Sequence, residues 1–427
     1  MRDLFVTMIV LGIIPFIFTR PYIGVLAWSW LGYMNPHRLA FGFAFSAPFV
    51  ALVAAVTLLS MFFSKEKKTF PWSPITITWL AFIFWSCFVT YWFAMNPPGA
   101  AWEFDRFTKI QVMIVCTLLL INTKERLIQL VWVIALSIGF FGIKGGFFAI
   151  ATGFSYRVKG PPGTFIGGNN ELALALLMVI PLFYFLFTIS QNKYLKKALI
   201  LFMFLCFFSV IASYSRGAFL GMAIMSIFLW WGMKRKILIA GFVGVILFIG
   251  IPFLPNQWFD RMNTIETFEE DESALQRLNT WGMAVNIAND RFLGGGFAPF
   301  TRDAYQIYAD NPDWIFDSHS IYFEVLASQG YVGFILFMAM LFLVLWRAQR
   351  LKKWCKKDEE LRWIATLANM VQVSFIAYMC AGAFLGMAYF DLPYHLMSIV
   401  VILEVLHKKA KNEVKSEVKS EESQHGL

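Results

Sequence analysis

Apolar runs near the length needed to cross about 30 Å of hydrocarbon recur along this chain, and that repetition leaves few folds open. In lipid every backbone N–H and C=O must find a partner within helices or a closed barrel, and runs this continuous are satisfied as helices. They fall near 41–63, 75–94, 108–121, 127–152, 170–189, 197–213, 217–233, 236–254, 331–347, 363–387 and 393–406. A composition 59% hydrophobic and only 15% charged does not suit soluble domains. The expected fold is therefore an all-α polytopic membrane protein.

Charge sets the topology. The segments "SKEKK" (64–68), "NTKER" (122–126), "QNKYLKK" (191–197), "MKRK" (233–236), "RAQRLKKWCKKDEELR" (347–362) and the Lys-rich tail fall in alternate connections, which the positive-inside rule assigns to the cytoplasm. The stretch 4–34 is broken at Arg20-Pro21 and reads as one kinked crossing or as a hairpin. The parity of the basic loops needs an odd number of crossings there, taken as one. About twelve spans follow, with both termini inside. The first nine occupy 1–254, a large non-cytoplasmic segment covers 255–330, the last three spans lie in 331–406, and the polar tail 407–427 is expected to be disordered. The net charge of +9 is mostly accounted for by the cytoplasmic clusters, so it does not point to nucleic acid. No small-residue cleavage pattern follows the first apolar stretch, so it is expected to be retained.

The non-cytoplasmic side gathers the chemistry. In "SALQRLNTWGMAVNIA" (273–288), Leu278, Trp281, Val285 and Ala288 share one helical stripe, with Ser273 available as N-cap. "LGGGF" (293–297) then ends that helix. In "DSHSIYFEVLASQGYVG" (317–333), Asp317 or Ser318 can cap a second helix whose face carries His319, Tyr322, Phe323 and Leu326. The stripe alone favours a packed histidine; the alternative is a general base, since imidazole accepts a proton near neutral pH. His37, His395, His407 and His425 have no comparable company.

Cations on the same side invite explanation, because the topology rule disfavours them there. Arg216 sits in "SYSRGAFLG", Arg157 and Lys159 in the Gly/Pro-rich "YRVKGPPGTFIGGNN", and Arg277 on the amphipathic helix. Snorkelling to headgroups, or for Arg277 a solvated face, is the plain alternative for each. Lys144, in "FFGIKGGFFAI", lies inside an apolar span, where a lysine calls for a partner or a wet cavity. Together these five cations can line a pocket for a pyrophosphate, with the glycines beside Lys144 allowing close approach. The acidic run "EEDE" (269–272) reads better as a helix-dipole partner than as a metal site. No metal or other cofactor is expected. Cys87, Cys116, Cys206, Cys355 and Cys380 show no CxxC spacing.

These motifs together resemble the O-antigen ligase and polymerase superfamily. "HSIYFEVLASQGYVG" is similar to the ligase pattern through His319, Ser320, Gly330 and Gly333, "YSRGA" to the Ser-Arg-Gly turn, and "RLNTWGMAVNIANDRFLGGGF" to the pre-histidine segment. The wording around "GIKGG" and "VKGPPGTFIGGNNELALALLMVIPL" resembles a branch of O-glycosylation ligases associated with exosortase systems. The resemblance implies a GT-C-like enzyme of the bacterial inner membrane with its active site facing the periplasm. It would move a glycan from an undecaprenyl-pyrophosphate carrier to an acceptor hydroxyl, such as a lipid A-core sugar, without a metal. It assigns the family histidine to His319 and the family arginines to Arg216 and Arg277. A base-assisted displacement would invert the anomeric carbon, since no carboxylate nucleophile stands out. O-antigen polymerase and protein O-oligosaccharyltransferase activities remain alternatives, and a flippase of lipid-linked sugars is the alternative outside enzymes.

Overall fold

The computed structural model describes residues 1–231, 255–256, 258–259 and 272–425, and all regular structure among them is helical. Helices α1 (Arg2–Thr19) and α2 (Tyr22–Met34) are separated at Arg20-Pro21, where the chain breaks because Pro21 has no N–H to donate. There follow α3 (Phe49–Phe63), α4 (Pro74–Phe93), α5 (Pro97–Leu120), α6 (Lys124–Ala151), α7 (Asn169–Ile189), α8 (Lys193–Ile211) and α9 (Arg216–Trp231). Beyond the gap lie α10 (Glu272–Asp290), α11 (Arg302–Tyr308), α12 (Ile321–Cys355), α13 (Arg362–Gly382) and α14 (Asp391–His425).

Seven of the described helices, α1, α4, α6, α7, α8, α12 and α13, are long and apolar enough to cross a membrane, and α3 and α9 are shorter apolar helices. Large side chains such as Phe62, Phe84 and Phe342 face outward, as lipid contact requires. The expected span 236–254 and most of "EEDE" lie outside the described residues. Helix α7 is the centre of the bundle, nearly every side chain from Leu172 to Leu186 buried against α6, α8, α9 and α13. Its contact partner α6 carries Gly139, Gly142, Gly145 and Gly146, and a Cβ on Gly146 would stand 2.2 Å from the Leu205 carbonyl oxygen of α8. Small residues at such spacing let membrane helices meet backbone to backbone.

Several basic connections converge at one end. Arg126 of the 122–126 loop pairs with Glu66 of the 64–68 loop, Lys409 donates to the Asn122 carbonyl, and Arg347 pairs with Glu404 at 3.2 Å. His407 stacks on Trp354. The segment from 407, expected to be disordered, continues α14 as helix to His425.

Candidate functional site

At the opposite end of the bundle, consecutive residues of α10 anchor the segment that carries His319. Asn279 donates to the Asn311 carbonyl and accepts from its N–H, Thr280 Oγ1 lies 2.7 Å from the Tyr305 hydroxyl, and Trp281 Nε1 donates to the Ser318 carbonyl at 2.7 Å. The Tyr305 hydroxyl in turn donates to the Phe316 carbonyl. Trp281 also stacks on Phe323, centroids 4.9 Å apart. The "LNTW" of the pre-histidine segment is thus a clamp. The buried face of α10 is Asn279, Thr280, Met283, Ala284, Ile287 and Ala288, whereas Leu278 is exposed. The expected stripe through Leu278 is displaced because polar Asn279 and Thr280 bury themselves to bond the loop, and Ser273 lies inside the helix rather than ahead of it.

His319 does not stand in the first turn of a helix. Helix α12 begins at Ile321 with Ser320 as N-cap, and His319 precedes it at φ 45° in the left-handed region. The hydroxyl of Ser318 donates to the Ser320 carbonyl, so it bridges the turn instead of capping the helix as expected. A bulky residue at positive φ is strained, and such strain persists where surrounding contacts over-determine the backbone. Here the Trp281 bond and the buried Ser318 and Ser320 supply that constraint. Tyr214 and Ala298, two other non-glycine residues at positive φ, also border this end.

Gly330 kinks α12 at φ 63°, separating a short helix 321–329 from the long span. The Gly-rich turn packs into the kink: Gly295 N donates to Ala327 O, Gly296 N to Ser328 O, and Tyr331 N to Phe292 O. Trp85 Nε1 donates to Gln329 O. Backbone groups freed by the break are therefore paired again, as burial demands.

Three of the five expected cations come together. Arg157, Arg216 and Arg277 line one cavity of about 90 Å³ with Asn169, Tyr214 and Ser215. The turn between α8 and α9 builds it. Ser215 Oγ accepts from Ala218 N, Asn169 Nδ2 donates to Ser213 O, and Val158 N donates to Ala212 O, which ties the Arg157 loop to the turn. Arg157 lies 5.8 Å over the Tyr214 ring, whose hydroxyl donates to Phe154 O. The first turns of α7 and α9 both open here, adding the positive ends of two helix dipoles to three guanidinium groups. Such a lining suits phosphate oxygens.

Lys144 and Lys159 are not brought in. Both are exposed, and neither lines this cavity or the one beside it. Gly145 and Gly146 pack α6 on α8 rather than admitting an anion, so Lys144 is left on the other side of its helix.

A second cavity of about 410 Å³ adjoins the first, since Asn170 and Phe384 line one while Glu171 and Leu385 line the other. His319 lines it with Asp317, Glu171, Glu103, Arg106 and Glu324. Glu324 accepts from Ala388 N at 3.0 Å. Burial holds the His319 imidazole below its ordinary range; the Arg277 charge pushes it the same way, and Asp317 and Glu171 oppose. The ring is therefore neutral at neutral pH and can accept a proton. Glu103, ahead of the apolar part of α5, is raised by burial, with Arg106 opposing and Asp317 adding to the shift.

Glu103, Arg106, Glu171 and Glu324 escape the motif reading. Glu103 and Arg106 share "WEFDRF" just outside an expected span, and Glu171 opens α7, but only the fold brings them to His319. A charged pair at the non-cytoplasmic end of a span was the available signal.

Residues 201–338 match the model of a family described as O-antigen ligase, and residues 1–191 match a family of unknown function. No curated protein matches the chain. The Ser-Arg-Gly turn, the pre-histidine helix and His319 all lie within 201–338, the region through which the chain is similar to O-antigen ligases.

Proposed function

We propose that the protein transfers a glycan from undecaprenyl pyrophosphate to an acceptor hydroxyl at the periplasmic face of the bacterial inner membrane. The coarser statement, a membrane protein with an O-antigen ligase region and a role in lipid-linked glycan transfer, comes from the family match. The finer one rests on a single observation. Three arginines from three separate segments line one cavity, and that cavity adjoins the one that holds His319. Orientation follows from the basic loops gathered at the opposite end, which the positive-inside rule sets in the cytoplasm.

The chemistry then has a place for each partner. The carrier's pyrophosphate sits among Arg157, Arg216 and Arg277, its lipid tail remaining in the bilayer. The acceptor occupies the larger cavity. Its hydroxyl gives its proton to neutral His319 as the oxygen attacks the anomeric carbon. The carbon–oxygen bond to pyrophosphate breaks, and the departing pair of electrons leaves with undecaprenyl pyrophosphate. The arginines stabilise that charge, a contribution of about 3 to 4 kcal/mol per well-placed group in comparable sites. One displacement inverts the anomeric configuration. A lipid A-core sugar is the acceptor this family implies; a protein hydroxyl or a second lipid-linked glycan would use the same step.

Reconstitution in liposomes with a synthetic undecaprenyl-pyrophosphate glycan and candidate acceptors tests the reading. Transfer without any nucleotide sugar, with inverted product, is expected. Movement of intact donor across the bilayer without cleavage would replace it with transport.

A further inference from the structure

The larger cavity draws on three stretches of the chain, the last of them 385–389. His319, Asp317 and Glu324 come from the region that matches O-antigen ligase, but Asn96, Glu103, Arg106, Thr164, Phe165 and Glu171 all come from residues 1–191, the half that matches a family of unknown function. That half therefore supplies a whole wall facing the histidine.

The chemistry of the wall is specific. Arg106 lies with its guanidinium 3.4 Å from the centroid of the Phe165 ring, so one face of its fork is occupied by an aromatic ring. The carboxylates whose charge reaches it are Glu103 and Asp391. With carboxylates offsetting its charge, Arg106 gives a phosphate little net attraction. Against this one cation the cavity sets Glu103, Glu171, Asp317 and Glu324. Carboxyl groups hydrogen-bond hydroxyls whether ionised or protonated, but they give a phosphate no counter-charge. Phe165, Phe297, Phe300 and Tyr389 add aromatic surface to the same lining. Aromatic faces with a few convergent carboxyls are what a neutral polyhydroxylated ligand needs.

We infer that the N-terminal half of the chain builds the acceptor-selecting wall, and that Glu103, Arg106 and Glu171 set a preference for a neutral sugar hydroxyl over a phosphorylated one. The division of labour is electrostatic. The basic cavity takes the anionic end of the donor, and the acid-lined cavity offers a second anion no counter-charge. This rests on the proposed transfer reaction and names the substrate class of its second site.

The test uses the full-length protein in nanodiscs with a synthetic undecaprenyl-pyrophosphate disaccharide as donor. A neutral alkyl glucoside and the same glucoside carrying a 6-phosphate compete as acceptors, and donor cleaved to water is measured alongside. The neutral glucoside should be glycosylated at least about tenfold faster, since a carboxyl-lined cavity gives a phosphate no counter-charge. Glu103→Gln with Glu171→Gln should shrink that preference and divert about tenfold more of the cleaved donor to water, as the hydroxyl contacts weaken. Equal use of both glucosides, a preference for the phosphorylated one, or donor cleavage with neither accepted would each overturn the inference while leaving the reaction standing. A wild-type protein that never cleaves the donor would bring down the proposed function, and this inference with it. The competition on wild type needs no variant to fold.

Discussion

The indole N–H of Trp281 donates to the carbonyl of Ser318 at 2.7 Å, one residue ahead of His319, and so ties the pre-histidine helix to the histidine it precedes in sequence. Because His319 lies outside α12 and at positive φ, its placement depends on such bonds rather than on helical backbone. Trp281→Phe keeps an aromatic ring beside Phe323 while removing the donor and part of the indole's packing. The expected loss is about 1 kcal/mol of local anchoring. Turnover should fall by roughly tenfold, because small misplacements of a reacting group are costly. A kcat that drops while the donor KM holds, in protein of normal yield, is the signature; unchanged kcat would remove Trp281 from the positioning of the histidine.

Gly294 and Gly330 should be nearly irreplaceable. Both have positive φ, at 103° and 63°, and a Cβ on either would stand about 2.5 Å from backbone of the other's turn. Gly330→Ala then meets two penalties, backbone strain of about 1 to 2 kcal/mol and a clash with atoms that cannot rotate away. Gly153 offers the control, since it too has positive φ, at 56°, but nothing within 4 Å of its Cβ position. Gly153→Ala should retain most of the thermal stability and Gly330→Ala should lose much more, as a melting series in detergent would show.

The arginine cavity predicts a graded series. Arg216→Ala, Arg157→Ala and Arg277→Ala should each lower kcat/KM by about 10²-fold, the usual cost of one charge-stabilising donor. Arg216→Lys should recover part of that, keeping the charge and losing the bidentate fork. If all three alanine variants transferred glycan normally, pyrophosphate would have to bind elsewhere.

Much of this was legible in the sequence, for physical reasons. Spans are visible because lipid demands unbroken apolar helices, and the motifs around Arg216, Arg277 and His319 are local. What spacing could not supply was convergence. Glu103, Arg106 and Glu171 meet His319 only because α5 and the first turn of α7 open at the same end, and nothing in "WEFDRF" encodes that distance. The stripe of His319 with Tyr322, Phe323 and Leu326 fits a period of 3.6, a pattern blind to a two-residue shift of the helix start, so it places in the helix a residue that lies just ahead of it. Lys144 stands apart from both cavities for the converse reason: glycines beside a lysine in an apolar run look like a binding loop, but in lipid they more readily serve helix contact.

That correction is itself testable. Lys144→Gln should leave transfer within about threefold of wild type, because the side chain is exposed and lines neither cavity. Gly146→Val should be damaging, since its side chain would be driven into the Leu205 carbonyl of α8. Expression level and activity per folded molecule, measured on both, separate the helix contact from the chemistry. A Lys144→Gln variant that folds but loses turnover would return the lysine to the site.

The pH profile bears most directly on His319. Its pKa is lowered by burial and then by Arg277, against the pull of Asp317 and Glu171, so the neutral base form persists to pH values below the ordinary 6.5. Transfer should be flat across neutral pH and fall on the acid side only below about 6.5, as the ring takes up a proton. Stability follows the same sign. The unfolded histidine protonates first, so the folded state loses relative stability as pH drops from 6.5 toward the lower folded value, and none above it. Removing Arg277 should move the acid limb upward, because a cation that disfavours the imidazolium is gone; Arg277→Lys should leave it nearly in place. His319→Ala should reach the membrane in normal amount and lose roughly 10²- to 10⁴-fold in rate, the range of a general base. A merely packed histidine gives the reverse, low yield with near-normal activity per folded molecule, and no acid limb that answers to Arg277.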